Sequence, residues 1–125
     1  MRVLLDTHVF LWAITQDRKL SKKAQSVILG ASEVYVSSAS IWEIAIKIQL
    51  KKLPFDLEKI IHSIEASDFS SLPITIEHAH KVGSLEKIHR DPFDRILVAQ
   101  ALYEPLTLLT ADALLLKYSK AIQLV

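Results

Sequence analysis

The chain has 125 residues, half of them hydrophobic and 23% charged, with a formal net charge of +1; that length suits one domain, residues 1–125, with a real core, and the charge balance is not that of a protein that grips nucleic acid by bulk charge. Two glycines and four prolines argue against disorder or collagen-like structure, and the lack of cysteine excludes disulfides and thiolate metal sites. Asp6 comes too early for a signal peptide and no run reaches the length of a membrane span, so a soluble, cytoplasmic protein is expected.

Arg2–Leu5 reads as a short buried strand stopped by Asp6-Thr7, and Val9–Ile14 as a buried helix. Ser21 suits the N-cap of a helix over Lys22–Leu29, ended by Gly30. Glu33–Ser37, β-branched and aromatic, reads as the second strand. Ser38-Ala39-Ser40 leads into a helix over Ile41–Leu50, with Ile41, Ile44, Ala45 and Ile48 as its apolar stripe. Pro54 breaks the chain, and Asp56 caps a helix to about Glu65. Phe69–Ile74 is a weaker third strand, and Thr75 to about Leu85 a helix. Asp91 (N-cap) and Pro92 (N1) open a helix to about Tyr103 that is apolar on nearly every side, as in a central buried helix. Thr107–Leu109 is the fourth strand, Asp112–Tyr118 a short helix, and Ile122–Val125 the last strand. Alternating strands and helices predict an α/β fold: a three-layer sandwich with a mainly parallel sheet of about five strands between helices.

Four acids stand at or just after the points where a strand ends or a helix begins: Asp6, Glu43, Asp94 and Asp112. Each alone has an ordinary explanation. Asp6 and Asp112 suit N-caps, with Thr110 competing for the second. Glu43 pairs with Lys47 four residues on, as solvated helix charges do. Asp94 falls at N3 behind the Asp91 cap, but a carboxylate on so apolar a helix is costly unless paired or metal-bound. Jointly the balance changes, because strand-to-helix turns of an open parallel sheet converge on one edge. Carboxylates crowded there repel unless a cation neutralises them, and all-oxygen donors select Mg²⁺ or Mn²⁺. The expected chemistry is hydrolysis of a phosphodiester by a water whose pKa one or two such ions lower. Lys47, Arg90 and Arg95 flank the acids and are candidate phosphate contacts. His89 lies near the acids but reads as a solvated loop histidine, and Trp12 and Trp42, in apolar helical contexts, read as core.

The chain resembles the PIN-domain family, and within it the VapC-type toxins of toxin–antitoxin pairs. The resemblance is carried by Leu4-Leu5-Asp6-Thr7, Ser40-Ile41-Trp42-Glu43-Ile44, the run His89-Arg90-Asp91-Pro92-Phe93-Asp94-Arg95-Ile96-Leu97-Val98-Ala99-Gln100-Ala101, and Leu109-Thr110-Ala111-Asp112, in that order over essentially the whole chain. It implies that Asp6, Glu43, Asp94 and Asp112 are the catalytic, metal-holding quartet of an endoribonuclease. It implies supporting roles for Thr7 and Thr110; Asp91, the helix cap, reads as a supporting partner that contacts the metal through water. It also implies a cognate antitoxin, a homodimer and an RNA substrate, with no membrane. His8 departs from the Asn or Ser of many relatives. A receiver-type signalling domain or a non-catalytic binding module is the alternative. The receiver would want adjacent acids after the first strand, whereas Asp6 stands alone, and retention of all four acids speaks against the module.

Overall fold

A computed structural model describes residues 1–125. Five strands, β1 (Arg2–Leu5), β2 (Glu33–Ser37), β3 (Ser70–Leu72), β4 (Thr107–Thr110) and β5 (Ile122–Leu124), form one sheet in the order β3-β2-β1-β4-β5. Every neighbouring pair is parallel, with Val3 opposite Val34 and Leu4 opposite Leu108. The receiver alternative requires the order 2-1-3-4-5, so this sheet does not support it.

Helices cover both faces, which is why the inner strands are apolar at consecutive positions rather than alternately. Side chains along a strand point to opposite faces. Val3, Leu5, Val36 and Leu109 accordingly pack into one core with Val9, Phe10 and Ile60, from α1 (Thr7–Thr15) and α4 (Leu57–Ala66). Residues from α2 (Lys22–Gly30) close that core from outside. Leu4 and Leu108 face the other way, against Leu97, Val98 and Ala101 of α6 (Pro92–Tyr103). Beside α6 lies the short α5 (Ile76–Val82). The remaining helix, α3 (Ser38–Gln49), sends Ile44 into the first core and Ala39 into the second. No helix is long and apolar enough to cross a membrane.

The boundaries differ from expectation where a side chain or a proline decides them. α1 begins at Thr7 because Asp6 Oδ1 accepts the Val9 N–H. α3 begins at Ser38, three residues early, because the Ser37 hydroxyl accepts the Ala39 N–H. β3 shrinks to Ser70–Leu72; Asp68 before it has a left-handed φ of 59°, and Pro73 after it has no N–H to give. α5 stops at Val82 rather than near Leu85, and its start is a capping box between Thr75 and His78. The segment after Asp112 is a 3₁₀ turn over Ala113–Lys117.

The strand order positions the site. The chain lays β1, β2 and β3 outward to one side, then crosses the sheet to lay β4 and β5 on the other. The order therefore reverses between β1 and β4, and the crevice beyond the carboxyl ends at such a reversal is where ligands bind in open α/β sheets.

Candidate metal centre at the sheet's carboxyl edge

Asp6 follows directly on β1. Its backbone N–H donates to Leu109 O of β4 at 3.0 Å, so the residue sits at the strand reversal. The residue is only 4% exposed. Oδ1 accepts the Val9 N–H at 2.8 Å and Oδ2 accepts the Thr110 hydroxyl at 2.6 Å. Burial pushes the Asp6 carboxyl above its ordinary pKa, against the Thr110 hydroxyl, the Val9 N–H and the His8 charge. Asp6 is therefore the helix cap expected of it and a buried carboxylate at the crevice as well.

Glu43 is 7% exposed, which corrects the reading of a solvated helix charge. The Lys47 pair exists, with Nζ 2.8 Å from Oε2. The other oxygen, Oε1, accepts the Thr7 hydroxyl at 2.8 Å, and Thr7 Oγ1 lies 3.0 Å from Ser40 Oγ. Thr7 immediately follows Asp6, so one turn of chain supplies an acid and the support for a second.

On α6, Asp91 caps the helix: Oδ1 accepts the N–H groups of Phe93 at 2.8 Å and Asp94 at 3.3 Å. Asp94 then projects from N3. Burial, the Asp91 charge, and more weakly the charges of Asp6 and Glu43 push its carboxyl up to about 7, with His89 opposing. The charges of Asp6 and Glu43 thus reach Asp94 across the crevice. Asp112 follows β4. Its N–H donates to Thr110 Oγ1 at 3.0 Å, so the Thr110 hydroxyl joins Asp112 to Asp6. Desolvation works to raise the Asp112 carboxyl, but the hydrogen bonds from His89 and the Leu114 N–H outweigh it and hold it below the usual range.

His89 was missed as part of the site. Its Nε2 lies 2.8 Å from Asp112 Oδ2 and 3.4 Å from Asp94 Oδ2, and one donor atom from each of His89, Asp94 and Asp112 lies within 4.8 Å of the others. Its place two residues before the Asp91 cap was the available signal, because a residue there faces the first turn of α6. Trp42 is 60% exposed and meets Phe93 edge to face at 5.1 Å, and Trp12 is half-buried beside His8; neither is the core residue expected. Arg90 is exposed. Arg95 turns its guanidinium back on the chain, donating to the carbonyls of Glu86, His89 and Val82 and to Tyr118 Oη.

The donor chemistry suits a hard divalent cation. The group whose donor atoms lie within 4.8 Å of one another is His89, Asp94 and Asp112. Asp6 and Glu43 lie outside it, near enough only for their charges to add to the burial and the Asp91 charge that raise Asp94, and oxygen donors of this kind suit Mg²⁺ or Mn²⁺. Both Asp6 oxygens keep a lone pair for such an ion, since each carboxylate oxygen accepts twice.

A parallel sheet between helices, with acids gathered where its strand order reverses, defines the class: an α/β protein with a carboxylate centre at the switch point. The PIN domain family model matches residues 3–121, and the chain belongs to that family, whose members are in general metal-dependent nucleases. No curated protein matches the sequence. Solved structures share the fold. VapBC2 of Rickettsia felis, bound to a promoter DNA fragment, is 16% identical over 100% of this chain and 98% of that one, with a TM-score of 0.70. DNA-bound VapBC of Salmonella typhimurium gives 17%, 100%, 97% and 0.70, and a toxin–antitoxin complex of Klebsiella pneumoniae 16%, 97%, 95% and 0.68.

Proposed function

We propose that residues 1–125 are a single nuclease domain, a Mg²⁺- or Mn²⁺-dependent endoribonuclease that serves as the toxin of a toxin–antitoxin pair. The observation that carries this reading is the gathering of acids at the strand reversal: the Thr110 hydroxyl donates to Asp6 and accepts the Asp112 N–H, and donor atoms of Asp94 and Asp112 lie within 4.8 Å of each other. Capping explains Asp6 and Asp112 one at a time but not why acids from separate elements share one crevice, where their repulsion costs stability unless a cation offsets it.

In this reading Asp6, Glu43, Asp94 and Asp112 hold the cation. Bound there, Mg²⁺ or Mn²⁺ would lower the pKa of a water and offset charge on the scissile phosphate. The chain's own contribution is orientation. Thr110 fixes Asp6 and the backbone of Asp112, Thr7 fixes Glu43, and Asp91 aims Asp94 by capping α6. Of the three candidate phosphate contacts, Lys47 is held by Glu43 and Arg95 by main-chain carbonyls, so Arg90 is the cation best placed to meet RNA. The structural neighbours were solved as complexes of toxin with antitoxin, which supports a cognate antitoxin for this chain. A homodimer and a cytoplasmic location belong to the same proposal.

The test is cleavage of labelled single-stranded RNA and of DNA of the same sequence. The reading expects RNA cut in Mn²⁺, no cutting in EDTA, and loss in Asp6→Asn. Cutting that survives EDTA, or full activity in a folded Asp6→Asn variant, would contradict it.

A further inference from the structure

His89 is clamped more tightly than a loop histidine needs to be. Its backbone N–H donates to Tyr118 Oη at 2.9 Å. Arg95 Nη1 donates to the same Tyr118 oxygen at 3.0 Å and to His89 O at 3.4 Å. The ring is fixed in turn, because Nδ1 accepts the Asp91 backbone N–H at 3.0 Å. Asp91 thus sets two parts of the site at once: its carboxylate caps the helix carrying Asp94, and its amide holds the imidazole.

That amide decides the tautomer. A neutral imidazole has one donor and one acceptor nitrogen. With Nδ1 accepting, the proton is on Nε2, the atom that faces Asp112 Oδ2 at 2.8 Å and Asp94 Oδ2 at 3.4 Å. Metal-bound histidines show the opposite arrangement, ligating with one nitrogen while the other donates its N–H outward. Ligation by Nε2 here would move the proton to Nδ1, directly against the Asp91 N–H. The three-residue group of His89, Asp94 and Asp112 is therefore not a nitrogen-containing ligand set. Asp112, meanwhile, has a side chain 43% exposed and needs fixing. Its Oδ1 is held by the Leu114 N–H at 3.0 Å and its Oδ2 by His89 alone, and Oδ2 keeps a second lone pair for a cation.

Resting on the reading that the acids hold a divalent cation, we propose that His89 is a positioning residue: its Nε2–H, locked by the Asp91 amide, orients Asp112 toward the ion and takes no place among the ligands. The functions of the two ring nitrogens can be separated by substitution. The Gln amide nitrogen reaches the place of Nε2 and keeps the donor to Asp112. The Asn oxygen stands in for Nδ1 and keeps only the acceptor for the Asp91 N–H.

The experiment is Mn²⁺ titration calorimetry on the full chain and on His89→Gln, His89→Asn and His89→Leu, with unfolding midpoints as a check of folding. His89→Leu and His89→Asn should weaken Mn²⁺ about 10- to 100-fold, the loss typical when a group orienting a ligand is removed, and His89→Gln should recover most of it. In the wild-type protein, nitrogen NMR should show a protonated Nε2 and an unprotonated Nδ1. Electron spin-echo spectra of bound Mn²⁺ should show no imidazole nitrogen. Recovery by Asn and not by Gln would make His89 a brace for its loop. A directly coupled nitrogen would make it a ligand, and the reverse tautomer would remove the argument even if every variant misfolded; each result overturns the proposal. Mn²⁺ binding by wild type that is unchanged in His89→Leu sinks this inference alone, whereas no binding by wild type sinks the reading of the whole site.

Discussion

Asp94→Asn should make the metal-free protein more stable while abolishing its response to metal. The Asp94 carboxyl is pushed from 3.8 to about 7 by burial first and by Asp91, Asp6 and Glu43 after that. A carboxyl with a raised native pKa binds its proton more tightly folded than unfolded. Native stability from this group is therefore fully present below about pH 4 and lost as pH rises from there through about 7. At roughly 1.36 kcal/mol per unit, the ceiling on that loss is about 4 kcal/mol. The neutral amide escapes it but gives up the His89 contact at 3.4 Å and a favourable charge at a helix N-terminus, worth about 0.3–1 kcal/mol. A net gain of about 1–3 kcal/mol at pH 8 in EDTA is expected. The assay is urea unfolding followed by fluorescence of Trp12 and Trp42, between pH 5 and 8. The wild-type midpoint should fall across that range more steeply than the variant's. With Mn²⁺ at a hundred times its dissociation constant the wild type should gain about 2.7 kcal/mol by linkage, and the variant far less, closing or reversing the gap between the two. A variant less stable than wild type in EDTA at pH 8, with an unchanged pH profile, would refute the view that repelled acids are crowded here.

Other outcomes follow from single contacts. Thr110→Val removes the hydroxyl shared by Asp6 and the Asp112 N–H; it should cost about 1–3 kcal/mol in urea unfolding and weaken Mn²⁺ by about tenfold or more in calorimetry. His78 is fully buried, with Nε2 2.5 Å from Glu104 and Nδ1 accepting the Thr75 N–H. His78→Ala should cost about 2–4 kcal/mol yet leave Mn²⁺ affinity per folded molecule unchanged; an affinity loss would mean that α5 and the site are coupled. Arg90→Ala should lower the log–log salt slope of single-stranded RNA binding by about 0.7, and an unchanged slope would remove Arg90 from the phosphate path.

How far the sequence reveals this molecule depends on the range of the interactions involved. β1, β2 and the start of α6 were legible because local apolar runs and the Asp91-Pro92 pair set them. The early start of α3 was not: Ser38-Ala39-Ser40 read as a lead-in outside the helix, whereas the Ser37 hydroxyl at the end of β2 accepts the Ala39 N–H and draws that lead-in into the first turn. The acids could be named from their places at strand ends, but their grouping depends on the β3-β2-β1-β4-β5 order, which no alternation of strands and helices specifies. Glu43 illustrates the limit: its spacing to Lys47 is the same for a surface pair and for a buried one, and only the partner 36 positions away in sequence, Thr7, distinguishes them. His89 was underrated for the same reason, because Asp112 lies 23 positions further on.

Titration of the metal-free protein with Mn²⁺, beside Asp6→Asn of verified folding, bears most directly on the claim that these carboxylates are gathered around an ion. The account predicts saturable binding of one or two ions per chain by the wild type and its loss in the variant. Absence of binding by folded wild type, or equal binding by both proteins, would contradict it.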